Sequence, residues 1–253
     1  MTGIAMQRQG PEYGPLVVLV HGSMDRMAGM AKLARRLATD CSVISYDRRG
    51  YGESVAHLGP FTMEYQVTDL VALVGGRRCV LVGHSYGGNV VLATADRHPE
   101  LVAAIALYET PLSWLPWWPG TTAGANAIAT QGRPEEAAER FMRRMIGDQL
   151  WDRLPERTKA ARRAEGPALV GELTDLRNHE PWSASKIDCP VVAGRGELGQ
   201  PHHAASTEWI AAAVRDATSV TLADCRHGAH ASHPDQFAEC LVRPAIELSR
   251  LAR

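Results

Sequence analysis

The stretch CVLVGHSYGGNVV, residues 79–91, decides the fold. Its first four residues are apolar, which is typical of a short strand that is buried on both faces. Gly83-His84-Ser85-Tyr86-Gly87 follows, and the apolar spacing of a helix then begins. A serine between glycines, at the junction of a strand and a helix, predicts a tight turn that exposes the hydroxyl of Ser85 as a nucleophile. The alternative is an ordinary loop that needs small residues.

The overall composition indicates a globular protein without a strong net charge. The chain has 253 residues, enough for one large domain, and its 27 basic side chains nearly balance 28 acidic ones. This balance argues against nucleic acid or an acidic membrane surface as a partner. The sequence has no apolar run of membrane-spanning length, no signal-peptide pattern at the amino end and no metal-binding cysteine spacing. We therefore expect a soluble cytoplasmic protein with reduced thiols, and the oligomeric state stays open.

Nearly continuous apolar runs predict the strands of one central sheet. Helical patterns separate most of these runs, so the sheet is expected to be mostly parallel, with helices on both faces. The predicted strands are LVVLV (16–20), CSVISY (41–46), CVLV (79–82), AAIALY (103–108), PVVAG (190–194) and the weaker TSVTLA (218–223).

The residues after the first predicted strand have the spacing of an amphipathic helix. In MDRMAGMAKLARRLATD, residues 24–40, the apolar side chains from Met27 to Leu37 recur on one helical face. Asp25 precedes them. We therefore expect Asp25 in the first turn of this helix or as its cap.

A long segment without strand character predicts an insertion. Residues 112–186 begin with a region rich in proline and tryptophan and continue with helical patterns, of which one has Pro134 placed for a first helical position. This pattern predicts an α/β core made of residues 1–111 and 187–253, with residues 112–186 as an inserted helical lid.

A second short motif complements the serine turn. His21-Gly22-Ser23-Met24 follows the strand at 16–20 and precedes a helix. The backbone amide of Tyr86, together with an amide from Ser23 or Met24, would form an oxyanion hole beside Ser85. Taken alone, the motif is an ordinary turn from a strand to a helix.

Four segments together resemble the α/β-hydrolase superfamily. They are LVVLVHGS, VISYDRRGYGES, LVGHSYGG and RHGAHASHPDQFA, and they occur in the family's order over nearly the whole chain. The sequence looks most like small esterases of this superfamily that carry a helical lid and no cofactor or metal. The resemblance implies a mostly parallel sheet with the active site at the carboxyl ends of its strands.

The resemblance also assigns the general base, which follows the serine and the acid in the chain. Three histidines are candidates, and His227 stands before Pro234 at the interval that is usual in the family. His230 is then expected to line the substrate pocket. His233 is expected at the surface, and His84 is expected to be a packed residue of the turn.

The acid of the triad has two main candidates. Many relatives carry an aspartate in the loop after the strand that corresponds to PVVAG, but this chain has Gly199 at that position, with Glu197 nearby. Other relatives take the acid from the end of the preceding strand, where this chain has Glu109. We favour Glu109 over Glu197, and Asp224 is a third possibility.

The implied chemistry is acyl transfer in two steps. His227 takes the proton of Ser85, the serine oxygen attacks an ester-type carbonyl, and water then releases the acyl group. Because aromatic side chains provide large apolar walls, Trp114, Trp117 and Trp118 predict a pocket for a hydrophobic small molecule. The expected substrate is a carboxylic ester, a thioester or a lactone.

Other functions on the same fold stay open at this point. A cofactor-free perhydrolase would use the same serine triad. A lyase or cyclase could use the pocket without a long-lived acyl-enzyme, and a ligand-binding protein could retain the fold without turnover. Epoxide hydrolases and haloalkane dehalogenases of this fold have an aspartate at the position of Ser85, which argues against those two activities.

Overall fold

The central feature of the fold is one sheet of seven strands. The computed structural model describes residues 3–130 and 132–251. The sheet order is β1-β3-β2-β4-β5-β6-β7. The strands are β1 (Met6–Gln9), β2 (Leu16–Val20), β3 (Ser42–Tyr46), β4 (Cys79–His84), β5 (Val102–Tyr108), β6 (Val191–Gly196) and β7 (Ala217–Leu222).

Strand pairing is parallel except at one edge. All neighbours from β3 to β7 run parallel, and β1 pairs antiparallel with β3, with Met6 opposite Tyr46. This architecture confirms the predicted mostly parallel sheet. The sequence analysis missed β1, whose four residues MQRQ are mostly exposed. An edge strand without a buried face has no apolar pattern by which it could be found.

Helices cover both faces of the sheet, as predicted. They are α1 (Ala31–Leu37), α2 (Met63–Val74), α3 (Tyr86–Arg97), α4 (Ala123–Ile128), α5 (Pro134–Ile146), α6 (Asp148–Arg153), α7 (Glu156–Arg163), α8 (Gly166–Asn178), α9 (Pro201–Ala213), α10 (Ala229–Ser232), α11 (Pro234–Phe237) and α12 (Arg243–Leu251). Among the described residues, no helix is both long enough and apolar enough to cross a membrane.

Alternate residues of β2 pack into two separate cores. Val18 and Val20 belong to the core that includes apolar residues of α2 and α3. Val17 and Leu19 belong to the opposite core, which includes apolar residues of α1 and α12. Because successive side chains of a strand point to opposite faces, a strand covered by helices on both sides must be apolar throughout. This requirement explains the unbroken run LVVLV.

Five helices, α4 to α8, connect β5 to β6. They lie within the predicted insertion, residues 112–186, and α5 begins at Pro134 as expected from its sequence. Apolar residues of α8, among them Leu169 and Leu176, are buried in the same core as α2 and α3. The division into core and lid stays a prediction about domain organisation.

The helix after β2 is shorter than the sequence predicted. α1 begins at Ala31 and its amino-terminal flanking residue is Met30, so Asp25 is neither in the first turn nor a cap. Asp25 instead lies in the preceding turns, where its Oδ1 atom accepts a hydrogen bond of 2.8 Å from the amide of Arg26. The residues between β2 and α1 are therefore available to the site at the carboxyl end of β2.

Candidate active site

Ser85 occupies a strained turn between β4 and α3. Its backbone has φ 52° and ψ −125°, a region that residues with a side chain adopt rarely and only when surrounding contacts impose it. Two hydrogen bonds hold the turn. The Ser85 amide donates to the carbonyl of Tyr108 at 2.8 Å, and the amide of Gly88 donates to the Ser85 carbonyl at 2.8 Å.

The glycines beside Ser85 are required by close packing. A Cβ atom at Gly83 would lie 2.5 Å from the Cα of Gly88, and one at Gly87 would overlap the carbonyl oxygen of Val20. Any larger residue at either position would push the turn away from β2 or from α3. The small residues in the sequence pattern thus allow β4 and α3 to meet at a sharp angle under Ser85.

The loop of residues 21–24 lies directly against the serine. A Cβ atom at Gly22 would be 2.8 Å from the Cβ of Ser85. Met24 has a positive φ of 56° and is buried. Ser23, Met24 and Tyr86 line the same cavity as Ser85. The structure therefore brings together the residues predicted to supply the oxyanion-binding amides, with Tyr86 at the amino end of α3.

A short side-chain contact joins Glu109 and His227. His227 Nδ1 lies 2.6 Å from Glu109 Oε2, and the Glu109 side chain is fully buried whereas that of His227 is 23% exposed. Glu109 follows β5 directly, with φ 48°. Its Oε1 atom accepts a 3.0 Å hydrogen bond from the amide of Gly196, and its own amide donates to the carbonyl of Gly194 at 2.9 Å. Both carboxylate oxygens are therefore held in place.

Gly199 leaves the space that the Glu109 carboxylate fills. A Cβ atom at Gly199 would overlap Glu109 Oε1. The carboxylate of Glu197 is occupied elsewhere, because its Oε2 atom accepts a 3.0 Å hydrogen bond from the amide of Asp224 in an exposed loop. The structure thus joins His227 to Glu109, and it uses Glu197 to hold the turn at Asp224.

The other candidate histidines have distinct surroundings. His230 lines the cavity, and its Nε2 atom lies 3.0 Å from Asp25 Oδ2. His233 precedes α11, with its Nδ1 atom 2.8 Å from the hydroxyl of Ser232. His84 is buried, and its Nε2 atom lies 2.8 Å from the carbonyl oxygen of His227.

Burial and charge adjust the ionisation of two residues in this cluster. Burial, together with charge on His230 and His227, holds the pKa of His84 well below its ordinary value. Burial acts to raise the pKa of Asp25, but the contact with His230 outweighs it, so the pKa of this carboxyl lies below its ordinary value. At neutral pH, His84 is therefore neutral and Asp25 is ionised.

The sequence analysis missed His203, which lies beside the His227 ring. The two rings stack with centroids 4.8 Å apart and an interplanar angle of 17°. His203 Nε2 is 3.9 Å from Glu109 Oε2. Burial lowers the pKa of His203 well below its ordinary value, and charge on His227 and His202 lowers it further. A neutral imidazole at the start of α9 therefore shields the Glu109 carboxylate.

Ser85, Glu109 and His227 line one cavity of about 740 Å³. Trp118 also lines it. Neither Trp114 nor Trp117 is among the described residues that line the cavity, so the prediction that they line it is wrong. Trp114 packs edge-on against Trp182 at 5.7 Å, and Trp117 packs against Trp118 at 5.8 Å. Trp117 thus contacts a residue of the wall, whereas Trp114 packs against a ring that does not line the cavity.

A buried ion pair connects the 21–24 loop to α8. Arg48 Nη1 lies 2.6 Å from Glu172 Oε2, and both side chains are fully buried. Arg48 Nε donates to the carbonyl of His21 at 2.9 Å, and Arg48 Nη2 donates to that of Gly22 at 3.1 Å. The Ser23 hydroxyl donates to Glu172 Oε1 at 2.5 Å. Ser23 can therefore contribute only its backbone to an oxyanion hole.

His21 has a structural part in the same network. Burial, and then the charge of Arg48, lower the pKa of His21 to about 3, so its imidazole is neutral. Its Nε2 atom accepts a 2.9 Å hydrogen bond from the amide of Arg48, and its Nδ1 atom faces the carbonyl of Gly22 at 2.7 Å. This arrangement places the proton on Nδ1.

Comparisons with known proteins agree with this architecture. The chain is 29% identical to the pimeloyl-[acyl-carrier protein] methyl ester esterase of Chromobacterium violaceum, over 90% of this chain and 93% of that protein. It matches the crystal structure of a putative lipase from Acinetobacter baumannii AYE with a TM-score of 0.80 and 15% identity, covering 100% and 94% of the two chains. The enol-lactonase of Burkholderia xenovorans LB400 gives a TM-score of 0.73 with 24% identity, covering 96% of each chain.

The family assignment rests on the sequence itself. Residues 17–240 match the sequence profile described as the alpha/beta hydrolase family. That range runs from β2 to the segment before α12 and includes the serine turn, Glu109 and His227. The chain therefore belongs to the alpha/beta hydrolase family, and it is an enzyme of the hydrolase type.

Proposed function

We propose that the protein is a serine hydrolase that cleaves an ester-type bond through an acyl-enzyme, with Ser85 as nucleophile, His227 as general base and Glu109 as acid. One observation carries this proposal: a buried glutamate pairs at 2.6 Å with a histidine that lines the same cavity as a serine at positive φ. Nucleophile, base and orienting acid are the three parts that acyl transfer at a serine requires.

The hydrogen bond between His227 and Glu109 determines which nitrogen of His227 can accept a proton. With Nδ1 of His227 donating to Glu109, the Nε2 atom carries the lone pair and can accept the proton of Ser85. The Ser85 oxygen then attacks the carbonyl carbon of the substrate. The resulting imidazolium is stabilised by Glu109, and it returns the proton to the leaving alcohol or thiol. A water molecule, deprotonated by His227, then attacks the acyl-enzyme and releases the acid product.

The backbone around the serine would stabilise the charge that develops on the substrate. The amide of Tyr86, at the start of a twelve-residue helix, and an amide from Ser23 or Met24 would donate to the oxyanion. Loss of one such donor raises the barrier by about 3 kcal/mol in a serine protease. The positive φ of Met24 would serve to turn the backbone amide of the 21–24 loop toward Ser85.

The walls of the cavity support a hydrophobic small-molecule substrate. Away from the triad, its lining includes the apolar side chains Trp118, Ile128, Phe141, Met142, Leu173 and Leu176. These residues come from the segment that we propose as a lid, residues 112–186. A mostly apolar cavity with a few convergent polar groups is typical of small-ligand sites. An ester, thioester or lactone with an apolar acyl group would place its carbonyl at Ser85.

A fluorophosphonate probe tests the proposal directly. Wild-type protein should be labelled covalently and should release p-nitrophenol from p-nitrophenyl esters, whereas Ser85→Ala should do neither and should keep its circular dichroism spectrum. His227→Ala should lose nearly as much turnover as Ser85→Ala, because the members of a triad act as a unit.

The same assays separate the alternatives. A protein that only binds ligands would not be labelled. A lyase or cyclase would convert its substrate without an acyl-enzyme, and a perhydrolase would transfer the acyl group to added peroxide. Labelling of Ser85→Ala as strong as that of the wild type would reject Ser85 as the nucleophile. A panel of esters, thioesters and lactones of increasing acyl length would then define the substrate class.

A further inference from the structure

A second group of polar side chains lies in the wall of the cavity, outside the proposed triad. Asp25 comes from the loop after β2, His84 from the end of β4 and His230 from α10. One possible ligand atom from each residue lies within 4.8 Å of those of the other two. The closest pair, His230 Nε2 and Asp25 Oδ2, is 3.0 Å apart. Three separate elements of the fold thus converge on one point.

Each histidine of this group has one ring nitrogen without a hydrogen-bond partner. Both histidines are only 5% exposed. The Nδ1 atoms of His84 and His230 have no hydrogen-bond partner, and Asp25 Oδ2 has only the approach of His230. Asp25 Oδ2 and His230 Nε2 pair with each other, so the unpartnered ligand atom of the group is His84 Nδ1. Buried polar atoms in native proteins are nearly always satisfied, so this nitrogen needs an explanation. A bound cation is one explanation, because it would accept the lone pair of His84 Nδ1 together with those of His230 Nε2 and Asp25 Oδ2, in place of the contact between the last two.

Two of the three side chains are already oriented by a second contact. The His84 Nε2 atom faces the carbonyl oxygen of His227 at 2.8 Å, which places the proton on Nε2 and leaves the lone pair on Nδ1. The Oδ1 atom of Asp25 accepts from the amide of Arg26 at 2.8 Å, which leaves Oδ2 for a ligand. Contacts that fix the tautomer of a histidine and the rotation of a carboxylate are typical of metal ligands.

The group is accessible, because Asp25, His84 and His230 all line the cavity of about 740 Å³. An ion can therefore enter, and a fourth coordination position would face the cavity. Two imidazole nitrogens and one carboxylate oxygen, with an open fourth position, suit Zn²⁺. With bonds of about 2.1 Å, tetrahedral ligands lie about 3.4 Å apart, so the 3.0 Å pair needs little movement.

We infer that Asp25, His84 and His230 form a binding site for a divalent transition metal, with Zn²⁺ as the ion that suits it best. The site departs from our expectation that the protein holds no metal. A second set, Glu109, His203 and His227, also has ligand atoms within 4.8 Å. It is the weaker candidate, because Glu109 and His227 are two members of the proposed triad and already pair with each other at 2.6 Å.

Titration calorimetry with ZnCl₂, on protein first treated with a chelator, tests the inference. Wild-type protein should bind one equivalent. His230→Ala and Asp25→Asn should each weaken binding by at least about tenfold, as expected for the loss of one ligand. His233→Ala should bind as the wild type does, since His233 lies three residues from His230 but outside the cavity wall. The unsubstituted protein and its variants are compared in a Cys240→Ser background, because the exposed thiol of Cys240 could itself bind Zn²⁺.

Cobalt(II) provides an independent readout. The wild type should show the intense visible absorption of a tetrahedral site, and Asp25→Asn, which keeps the side-chain shape, should lose it while its circular dichroism spectrum stays native. Two results would overturn the inference. One is the absence of saturable binding by the wild type. The other is binding that survives in His230→Ala and Asp25→Asn but is lost in His203→Ala, which would place the ion at Glu109 instead.

Discussion

The carboxylate of Glu109 lies 2.6 Å from the imidazole of His227 although the two residues are 118 positions apart in the chain. The contact is possible because Glu109 directly follows β5 and its carboxylate accepts a hydrogen bond from the amide of Gly196, at the end of the neighbouring β6. A buried, charge-assisted hydrogen bond of this kind is stronger than one between neutral groups. The geometry thus favours an acid supplied by β5, one strand earlier than the loop after β6.

Glu109→Gln should therefore abolish most of the ester turnover. The glutamine oxygen can still accept from the amide of Gly196, which turns its NH₂ group toward His227. Nδ1 must then accept, the proton moves to Nε2, and the base can no longer take the proton of Ser85. The comparable change in a serine protease lowers kcat by about 10⁴-fold, and we expect a loss of about 10³ to 10⁴-fold in kcat.

Glu197→Gln is the matched control for that variant. Glu197 is a carboxylate on the loop after β6. The Glu197→Gln variant should lose about tenfold or less in kcat, because the contact of Glu197 is with an exposed amide. Steady-state kinetics with one p-nitrophenyl ester compares the two. Collapse of activity in Glu197→Gln together with near-full activity in Glu109→Gln would move the acid to the later loop.

Gly199→Ala should destabilise the protein through Glu109. The added Cβ would overlap Glu109 Oε1, so either the loop or the carboxylate must move. We expect a loss of about 1 to 3 kcal/mol in the free energy of unfolding, together with lower kcat. In a Glu109→Ala background the overlap is absent, and the same glycine change should cost much less. Urea unfolding of the four proteins gives the coupling energy, and a value near zero would mean that Gly199 does not serve to make room for Glu109.

The parts of the site that the sequence predicted are local ones. The serine turn is defined by consecutive residues, because a strand, a tight turn and a helix must follow one another between Cys79 and Arg97. Strands buried on both faces are likewise visible as unbroken apolar runs. The preference for Glu109 depended on knowing where a strand ends, which the apolar run up to Tyr108 indicated.

The parts that the sequence did not predict depend on contacts between distant segments. Glu172 is an ordinary helical residue by sequence, and only the packing of α8 makes it the partner of Arg48. His203 and Asp25 gain their neighbours in the same way. The absence of an aspartate at position 199 was visible in the sequence. The sequence did not show that a side chain at position 199 would overlap Glu109, because this overlap depends on the distance between β5 and the loop after β6.

Acidification should destabilise the fold through buried histidines. Burial lowers the pKa of His21, His84 and His203, that of His21 to about 3. In the unfolded chain each histidine has a pKa of about 6.5. Below that pH the unfolded state binds more protons than the native state, so stability is full above pH 6.5 and falls as the pH drops toward the native pKa. His21, with a native pKa of about 3, should cost about 1.4 kcal/mol between pH 7.5 and pH 5.5, and His84 and His203 should add losses of the same sign.

Urea unfolding at those two pH values measures this loss. His203→Phe removes one of the three groups. Between pH 7.5 and 5.5 this variant should lose less stability than the wild type, by up to about 1.4 kcal/mol. His233→Gln, at an imidazole whose Nδ1 atom lies 2.8 Å from the Ser232 hydroxyl, is the control and should follow the wild type. An unchanged pH dependence in His203→Phe would show that His203 is protonated in the native state.

Ser23→Ala should slow the chemical step without weakening substrate binding. The Ser23 hydroxyl and the Tyr51 hydroxyl both donate to Glu172 Oε1, at 2.5 and 2.7 Å, but only Ser23 belongs to the loop beside Ser85. Removing the hydroxyl frees that loop from α8, so its backbone amide is held less firmly where the oxyanion forms. We expect kcat to fall about tenfold with KM nearly unchanged, the pattern of an interaction made only in the transition state.

Tyr51→Phe is the matched variant, since it removes a hydrogen bond to the same carboxylate oxygen from outside the loop. Its kcat should stay within about twofold of the wild type, although both variants leave Glu172 with one donor fewer and should lose about 1 kcal/mol of stability. The comparison separates positioning of the loop from general weakening of the Arg48–Glu172 network. Equal losses of kcat in the two variants would mean that the network stabilises the fold but does not position the amide beside Ser85.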